Sequence, residues 1–349
     1  MKAPLHQPTC LSTVRRWWGA TINSLRLNAI AYQFRDGRWF IIKRRTVLGR
    51  CLTPVANLFF RLARLPIAFR RGMHAWQKGE LSNFRLLNPG FAAARIDGVA
   101  IRQEQLPGQD LWLHLRRGTL TRRMVRAAGQ EFRRVHGLWC DFYDGPWSHA
   151  DGAMRNVLYD PATHRARLID FELYHDPRLS PRRRHADDLA AFLLDLASRA
   201  PRRRWLAYAL NFLHAYGDAT ILAPLRRALA RPTGLAGLWW KVRTNFVNEY
   251  RVTRRMARLR RTLEHSPGAA YFVERPYLAT SRSSAAFRLS AAIRAASPAT
   301  ARRSAPAPQR PVPAAAGSRP RPSWSVLRSP APLPLRGTSP PARPGRWAP

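Results

Sequence analysis

The chain has 349 residues, 46% of them hydrophobic, which suffices for one large or two moderate domains with a sizeable core. Sixty Lys and Arg oppose 20 Asp and Glu, a formal net charge of +40 that excludes an ordinary near-neutral surface and brings polyanionic partners into view: nucleic acid, anionic membrane, or a phosphorylated lipid or sugar. Cys10, Cys51 and Cys140 lack any C-x-x-C spacing, so neither a disulfide framework nor a zinc site is expected and a reducing setting is the default.

Residues 1–28 read as an N-terminal extension. The opening Met1 to Pro8 has no unbroken apolar core of the signal-peptide kind, so export is not expected and the cytoplasm is. Ala29 to Phe34 and Arg38 to Lys43 flank Arg35-Asp36-Gly37, a turn between apolar, aromatic-rich runs, which predicts a β-hairpin. Lys43 closes its second strand and, taken alone, is an ordinary strand-end lysine. An apolar and basic insertion follows near 47–72. Within it Leu52 to Phe69 is apolar, but Arg61 and Arg64 interrupt it and Pro54 and Pro66 break it, so it does not read as a membrane span. Two readings stand: a helix packed on the fold with its arginines solvated, or an interfacial element flanked by Arg44, Arg45, Arg50, Arg70 and Arg71 lying on an anionic bilayer.

Trp76, Leu81, Phe84 and Leu87 predict a helix that ends near Pro89 and contains Glu80. Ala94 to Gln105 reads as two strands around Asp97-Gly98, and Gln105 to Trp112 as the turn from a small lobe, 29–105, to a larger helical one, 106–281. Leu120 to Leu138 has helical periodicity and carries His136, expected to be structural.

The densest signal comes next. His149-Ala150-Asp151 is followed by Asn156, then Val157-Leu158-Tyr159, a turn at 160–165, and Leu168-Ile169-Asp170-Phe171-Glu172. The intervening residues read as strand, turn, strand, a hairpin that brings Asn156 and Asp170 to one end, where two oxygen ligands can share magnesium. Asp151, just before the hairpin, is free to face an acceptor hydroxyl and take its proton. His149 is expected to support the loop by hydrogen bonding, without transferring protons.

These residues resemble the protein-kinase-like phosphotransferases, and within them the bacterial lipopolysaccharide (Kdo/heptose) kinase and aminoglycoside-phosphotransferase-like branch. The likeness runs from about Ala29 to Leu196, and Asp-Phe-Glu in place of Asp-Phe-Gly points to the small-molecule and lipid-sugar branches. It implies an α+β bilobal fold, ATP and Mg²⁺ as cofactors, Asp151 as base, Asn156 and Asp170 as metal ligands, and Lys43 paired with Glu80 to position the nucleotide, with adenine at the 105–112 turn. It also implies that Asp187 or Asp188 braces the catalytic loop. No G-x-G-x-x-G precedes the first hairpin, where Gly19 is the only upstream glycine, and His-Ala-Asp lacks the arginine of phospho-switched protein kinases.

Beyond Ala190 the sequence predicts helices over 191–196, 205–216, 222–229 and 238–263, the last bearing Arg254, Arg255, Arg258, Arg260 and Arg261 on a solvated face. Residues 282–349 are Pro, Ala, Ser and Arg without an acidic side chain and predict a disordered tail. The acceptor is expected to be a hydroxyl-bearing small molecule or an anionic sugar or glycolipid, with peripheral contact at the inner face of the cytoplasmic membrane. No RNA-binding signature is present, and specific nucleic-acid binding is not expected. The competing readings are an idle kinase-like module that holds a polyanion through its arginines, and a protein Ser/Thr kinase.

Overall fold

The computed structural model describes residues 27–244, Val247 and 249–265. The expected N-terminal extension, except for its last two residues, and the expected tail at 282–349 lie outside the described residues, as does Cys10.

The expected hairpin is present as β1 (Asn28–Arg35) and β2 (Arg38–Arg45), with Arg35 opposite Arg38. Its two-residue turn needs positive φ twice, and Asp36 and Gly37 supply it at 51° and 74°. Helix α1 (Val47–Leu62), strand β3 (Ile67–Phe69) and helix α2 (Met73–Leu87) follow, then β4 (Ala93–Arg95) and β5 (Ala100–Glu104). Four of these strands form an antiparallel sheet of order β1-β2-β5-β4. Trp76 and Leu81 of α2 pack against Ile101 of β5. Ile101 lies directly opposite Lys43, so Lys43 projects from the sheet face that α2 covers.

Helix α1 corrects one expectation. Pro54 does not break it, because both Pro54 and Arg50, whose carbonyl loses its helical partner, lie on the exposed side where water can take the freed acceptor. The break comes later, at Arg64 with φ 53° and at Pro66. Its amphipathicity is also inverted. The buried residues are Gly49, Thr53, Asn57 and Phe60, whereas Val47, Leu48, Val55, Leu58 and Leu62 are exposed. The buried side is held by polar and close backbone contact. A Cβ at Gly49 would lie 2.2 Å from the Leu27 carbonyl oxygen, and Asn57 exchanges two hydrogen bonds with the backbone of Phe69 at 2.9 and 2.7 Å.

The second lobe begins with β6 (Gln109–Asp110) and α3 (Leu111–Arg116). The Asp110 side chain accepts from the Leu113 N–H at 2.7 Å, so the expected 105–112 turn ends two residues early in a capped helix. Helix α4 (Arg122–His136), short strands β7 (Trp139–Cys140) and β8 (Gly145–Pro146), and the hairpin β9 (Val157–Asp160) with β10 (Arg165–Leu168) lead to β11 (Leu173–His175). Strand β11 pairs with β3, which ties the inserted segment to the second lobe. Helices α5 (Pro181–Arg199), α6 (Trp205–Tyr216), α7 (Leu222–Ala228), α8 (Gly234–Arg243) and α9 (Glu249–His265) complete the described chain. Helix α5 is buried on nearly every side from Arg184 to Ser198, as expected of a central helix.

The helix expected over 238–263 is two helices. Thr244 turns its hydroxyl back onto the carbonyls of Trp240 and Lys241, and the Thr-Asn-Phe-Val-Asn run has weak helix propensity. Of the arginines on α9, Arg255 is not on a solvated face. It is buried and donates to the carbonyls of Ala197 and Ala200, closing the C-terminal end of α5.

The core of the second lobe centres on Phe132, Phe192 and Phe212, with Phe192 stacked on Phe212 at 4.1 Å. Helices α4 and α6 approach so closely that a Cβ at Gly129 would lie 2.3 Å from the Phe212 carbonyl oxygen. Gly129→Ala is therefore expected to cost about 1–3 kcal/mol through overpacking, against the small gain its helix propensity would give at a free site. Denaturant unfolding checks this, with a lowered midpoint as the expected result.

Candidate active site

Glu80 on α2 has no exposed surface, so its carboxylate must be paired within the protein. Lys43 Nζ approaches Oε2 at 3.3 Å, Gln103 Nε2 donates to the same oxygen at 3.3 Å, and the Phe171 N–H donates to Oε1 at 3.0 Å. Lys43 also donates to Asp170 Oδ1 at 3.1 Å. One lysine thus bridges a helix carboxylate and a loop carboxylate, and the loop is fixed to the same helix through its backbone. Burial alone would lower the Lys43 pKa, but Asp170, Glu80 and Glu172 raise it well above the ordinary range, so it stays charged. Burial opposes ionisation of Asp170, yet Lys43 draws its carboxyl below the usual range.

Glu172 was not singled out by sequence, and it completes an acidic cluster. Donor oxygens of Glu80, Asp170 and Glu172 lie within 4.8 Å of one another. Burial, with Asp170 and Glu80 nearby, pushes Glu172 up to about 8, outweighing its buried ion pair with Arg45 at 3.2 Å. Asn28 also donates to it. Arg45 is therefore not one of the solvated arginines flanking α1, and Arg70 is likewise committed, with its guanidinium over Phe142 at 4.4 Å. Within the acidic trio Asp170 alone is substantially exposed, at 43% of its side chain against 0% for Glu80 and 9% for Glu172.

Asp151 and Asn156 lie just before the first strand of the hairpin, at the end where Asp170 follows the second. Asn156 donates its amide to the Asp151 backbone carbonyl at 2.9 Å and to Asp151 Oδ2 at 3.0 Å, leaving its amide oxygen for another role. The Ile169 N–H donates to the Asn156 carbonyl at 3.0 Å, which places the backbone of Asn156 beside that of residue 169, next to Asp170. The Asn156 amide oxygen and the Asp170 carboxylate are hard oxygen donors of the kind that suit magnesium. His149 supports the loop from within: its Nε2 donates to the Ile169 carbonyl at 2.9 Å, while Nδ1 accepts from the Asp151 N–H at 3.2 Å.

The loop is braced from below by Asp188 rather than Asp187. Fully buried Asp188 accepts from the backbone N–H groups of His149 at 2.8 Å and Ala150 at 2.7 Å, and from His136 Nε2 at 3.1 Å. Asp187 instead meets His175 at 3.2 Å. Ala150 is held at φ 68°, a costly conformation for a residue with a Cβ, and the two bonds to Asp188 and Arg243 on either side of it maintain that geometry.

Arg243 on α8 is a site residue that sequence reasoning missed. Its Nη2 donates to Asp151 Oδ1 at 3.3 Å and to the Ala150 carbonyl at 3.1 Å, and its guanidinium lies 5.6 Å from the Trp239 ring centre. Burial would lower its pKa, but Asp151 and Asp187 hold it above the ordinary range. Nothing local marks it, since it lies 92 residues beyond Asp151 among many arginines. A cavity of about 140 Å³ opens here, lined in part by Asp151, Arg155, Asp195, Trp239 and Arg243.

Below the loop, His136 and His185 stack face to face at 3.9 Å. Burial depresses both, His185 to about 3, so both are neutral in the fold. The unfolded chain binds a proton at His185 as pH falls below about 6.5, so its contribution to stability is present above that pH and is lost between about 6.5 and 3, by up to roughly 1.4 kcal/mol per pH unit, and His136 acts in the same direction. His185→Gln, which can keep the donor to the Trp147 carbonyl, should flatten the fall of Tm between pH 7 and 5. Parallel slopes for the two proteins would contradict the linkage.

No family model matches the chain, and no curated protein matches it. Solved structures similar to it include Rv3197 of Mycobacterium tuberculosis in complex with erythromycin, at 15% identity over 52% of this chain and 51% of that one, TM-score 0.30. This chain therefore matches about half the length of that protein. The Plasmodium vivax ethanolamine kinase is 8% identical over 73% of this chain and 87% of its own, TM-score 0.35. An aminoglycoside-3'-phosphotransferase of type VIII is 14% identical over 66% of this chain and 99% of its own, TM-score 0.32. Among the described residues no helix is long and apolar enough to cross a membrane. With a β-rich small lobe, a helical second lobe and one lysine joining a helix glutamate to a loop aspartate, the chain has a bilobal α+β fold of the protein-kinase-like kind.

Proposed function

We propose that the protein transfers the γ-phosphoryl group of ATP to a hydroxyl, with residues 29–105 as the small lobe and 106–281 as the catalytic lobe. The observation that carries this reading is the bridging lysine. Lys43 is held charged between Glu80 and Asp170 at 3.3 and 3.1 Å, poised to meet nucleotide phosphates while Asp170 turns to a cation. Asn156 and Asp170 would hold Mg²⁺, which when bound neutralises charge on the phosphates. Asp151 is 31% exposed and faces the cavity, where it accepts the proton of the acceptor hydroxyl. Asn156 and Arg243 fix its two oxygens, and Asp188 with His149 fixes its backbone.

The cavity gives the acceptor its chemistry. Arg155 and Arg243 are matched there by Asp151 and Asp195, so the lining is polar and balanced in charge, and Trp239 offers an aromatic wall of the kind on which a sugar ring can lie. This suits a sugar-bearing acceptor, and the chain's net charge of +40 favours an anionic one. A second reading, an idle kinase-like module, draws on the four-stranded sheet. Among the described residues β1 is its edge, and no glycine-rich loop covers the cleft beside it.

Thermal unfolding of the full chain separates the two. ATP with Mg²⁺ at 100 times Kd should stabilise the wild type by about 2.7 kcal/mol, whereas Asp170→Ala should lose the magnesium-dependent part. Asp151→Asn should keep that stabilisation and lose phosphoryl transfer to a sugar-phosphate panel by about 10²- to 10⁴-fold. Absence of any nucleotide effect in the wild type would leave the idle module as the better account.

A further inference from the structure

Helix α1 turns its apolar side outward. At 3.6 residues per turn, Val47, Leu48, Val55, Leu58 and Leu62 fall within an arc of about 100°, opposite the buried residues Gly49, Thr53, Asn57 and Phe60. The five are 46–66% exposed. Helix packing normally puts such a stripe against the core, and a contiguous apolar surface of this kind on a soluble chain marks something that covers it.

We propose that this face seats the protein on an anionic phospholipid bilayer, with α1 lying in the headgroup plane. Three observations select that occupant. Arg50 and Arg61 flank the stripe, Arg64 follows directly after the helix, and all three are exposed. The helix carries no acidic residue, and the whole chain has a net charge of +40, so a second copy laid face to face would bring like charges together while anionic lipid would neutralise them. No described helix can cross a membrane, which leaves lying on the surface as the mode of contact.

Helix α1 reaches the proposed acceptor cavity through its buried side, opposite the apolar face. Phe60, on the buried side of α1, packs edge-on against Trp239 of α8 at 4.9 Å, and Trp239 lines the cavity at Asp151. Leu235 and Leu238 of the same α8 are also exposed, at 47% and 44%. The bilayer contact does not rest on the phosphotransferase reading, since vesicle binding requires neither nucleotide nor turnover.

The test is co-sedimentation of the full chain with phosphatidylcholine vesicles, with and without phosphatidylglycerol, at physiological salt. The variants are Val55→Ser/Leu58→Ser/Leu62→Ser and, separately, Arg50→Gln/Arg61→Gln. All five positions are exposed, and unchanged thermal unfolding verifies that the variants fold. The wild type is expected to bind the phosphatidylglycerol vesicles, the triple variant at least about tenfold more weakly, and the arginine variant more weakly by roughly fivefold per charge. Equal binding by wild type and triple variant would overturn the proposal, as would no binding by the wild type. A concentration-dependent dimer, abolished in the triple variant and without vesicle binding, would assign the face to a second copy instead.

Discussion

A wholly buried carboxylate is tolerable only if its charge is met inside the protein, and Glu80 imposes that requirement on half of the small lobe. Removing one partner of such a group typically costs about 3–5 kcal/mol, which is the scale on which Lys43, Gln103 and the Phe171 N–H are held in place. Those three come from β2, β5 and the loop after β10. The position of Glu80 therefore fixes how the sheet, α2 and the Asp170 loop stand to one another. Asp170 shares the lysine, so the exposed carboxylate of the site inherits its geometry from the buried one.

The catalytic lobe repeats the device. Asp188, without exposed surface, gathers two backbone N–H groups and a histidine, and so sets the backbone of His149 and Ala150. Asp195 does the same for the Met154 N–H at 3.0 Å. Asp151 is then the partly exposed group carried on a loop fixed from beneath. In both lobes a buried acid orders the backbone beside a more exposed acid. On the proposed function, that arrangement suits a transfer reaction in which positioning and charge do most of the catalytic work.

Much of this was legible in the sequence because it was local. The hairpin around Asp36-Gly37, the spacing of Asp151 and Asn156, and the return to Asp170 are set within short windows, where turn chemistry and strand alternation suffice. What was not legible depends on contacts across the chain. Arg243 reaches Asp151 from 92 residues away, and the Arg45–Glu172 pair spans 127 residues. The orientation of α1, on which two readings stood, stayed open for another reason. An apolar stripe is ordinarily an inward one, and only the Leu27 backbone packed against Gly49 and the Asn57 bonds to Phe69 reveal that the small, polar side faces in.

If Glu80 and Lys43 act as one unit in holding nucleotide phosphate, their contributions to ATP·Mg²⁺ affinity must be coupled. A double-mutant cycle with Lys43→Met, Glu80→Gln and their combination measures that coupling. Either single change is expected to remove most of the affinity, and the double variant to be scarcely worse than the worse single, because the glutamate acts through the lysine. Losses that add independently, or full affinity in Lys43→Met, would contradict this.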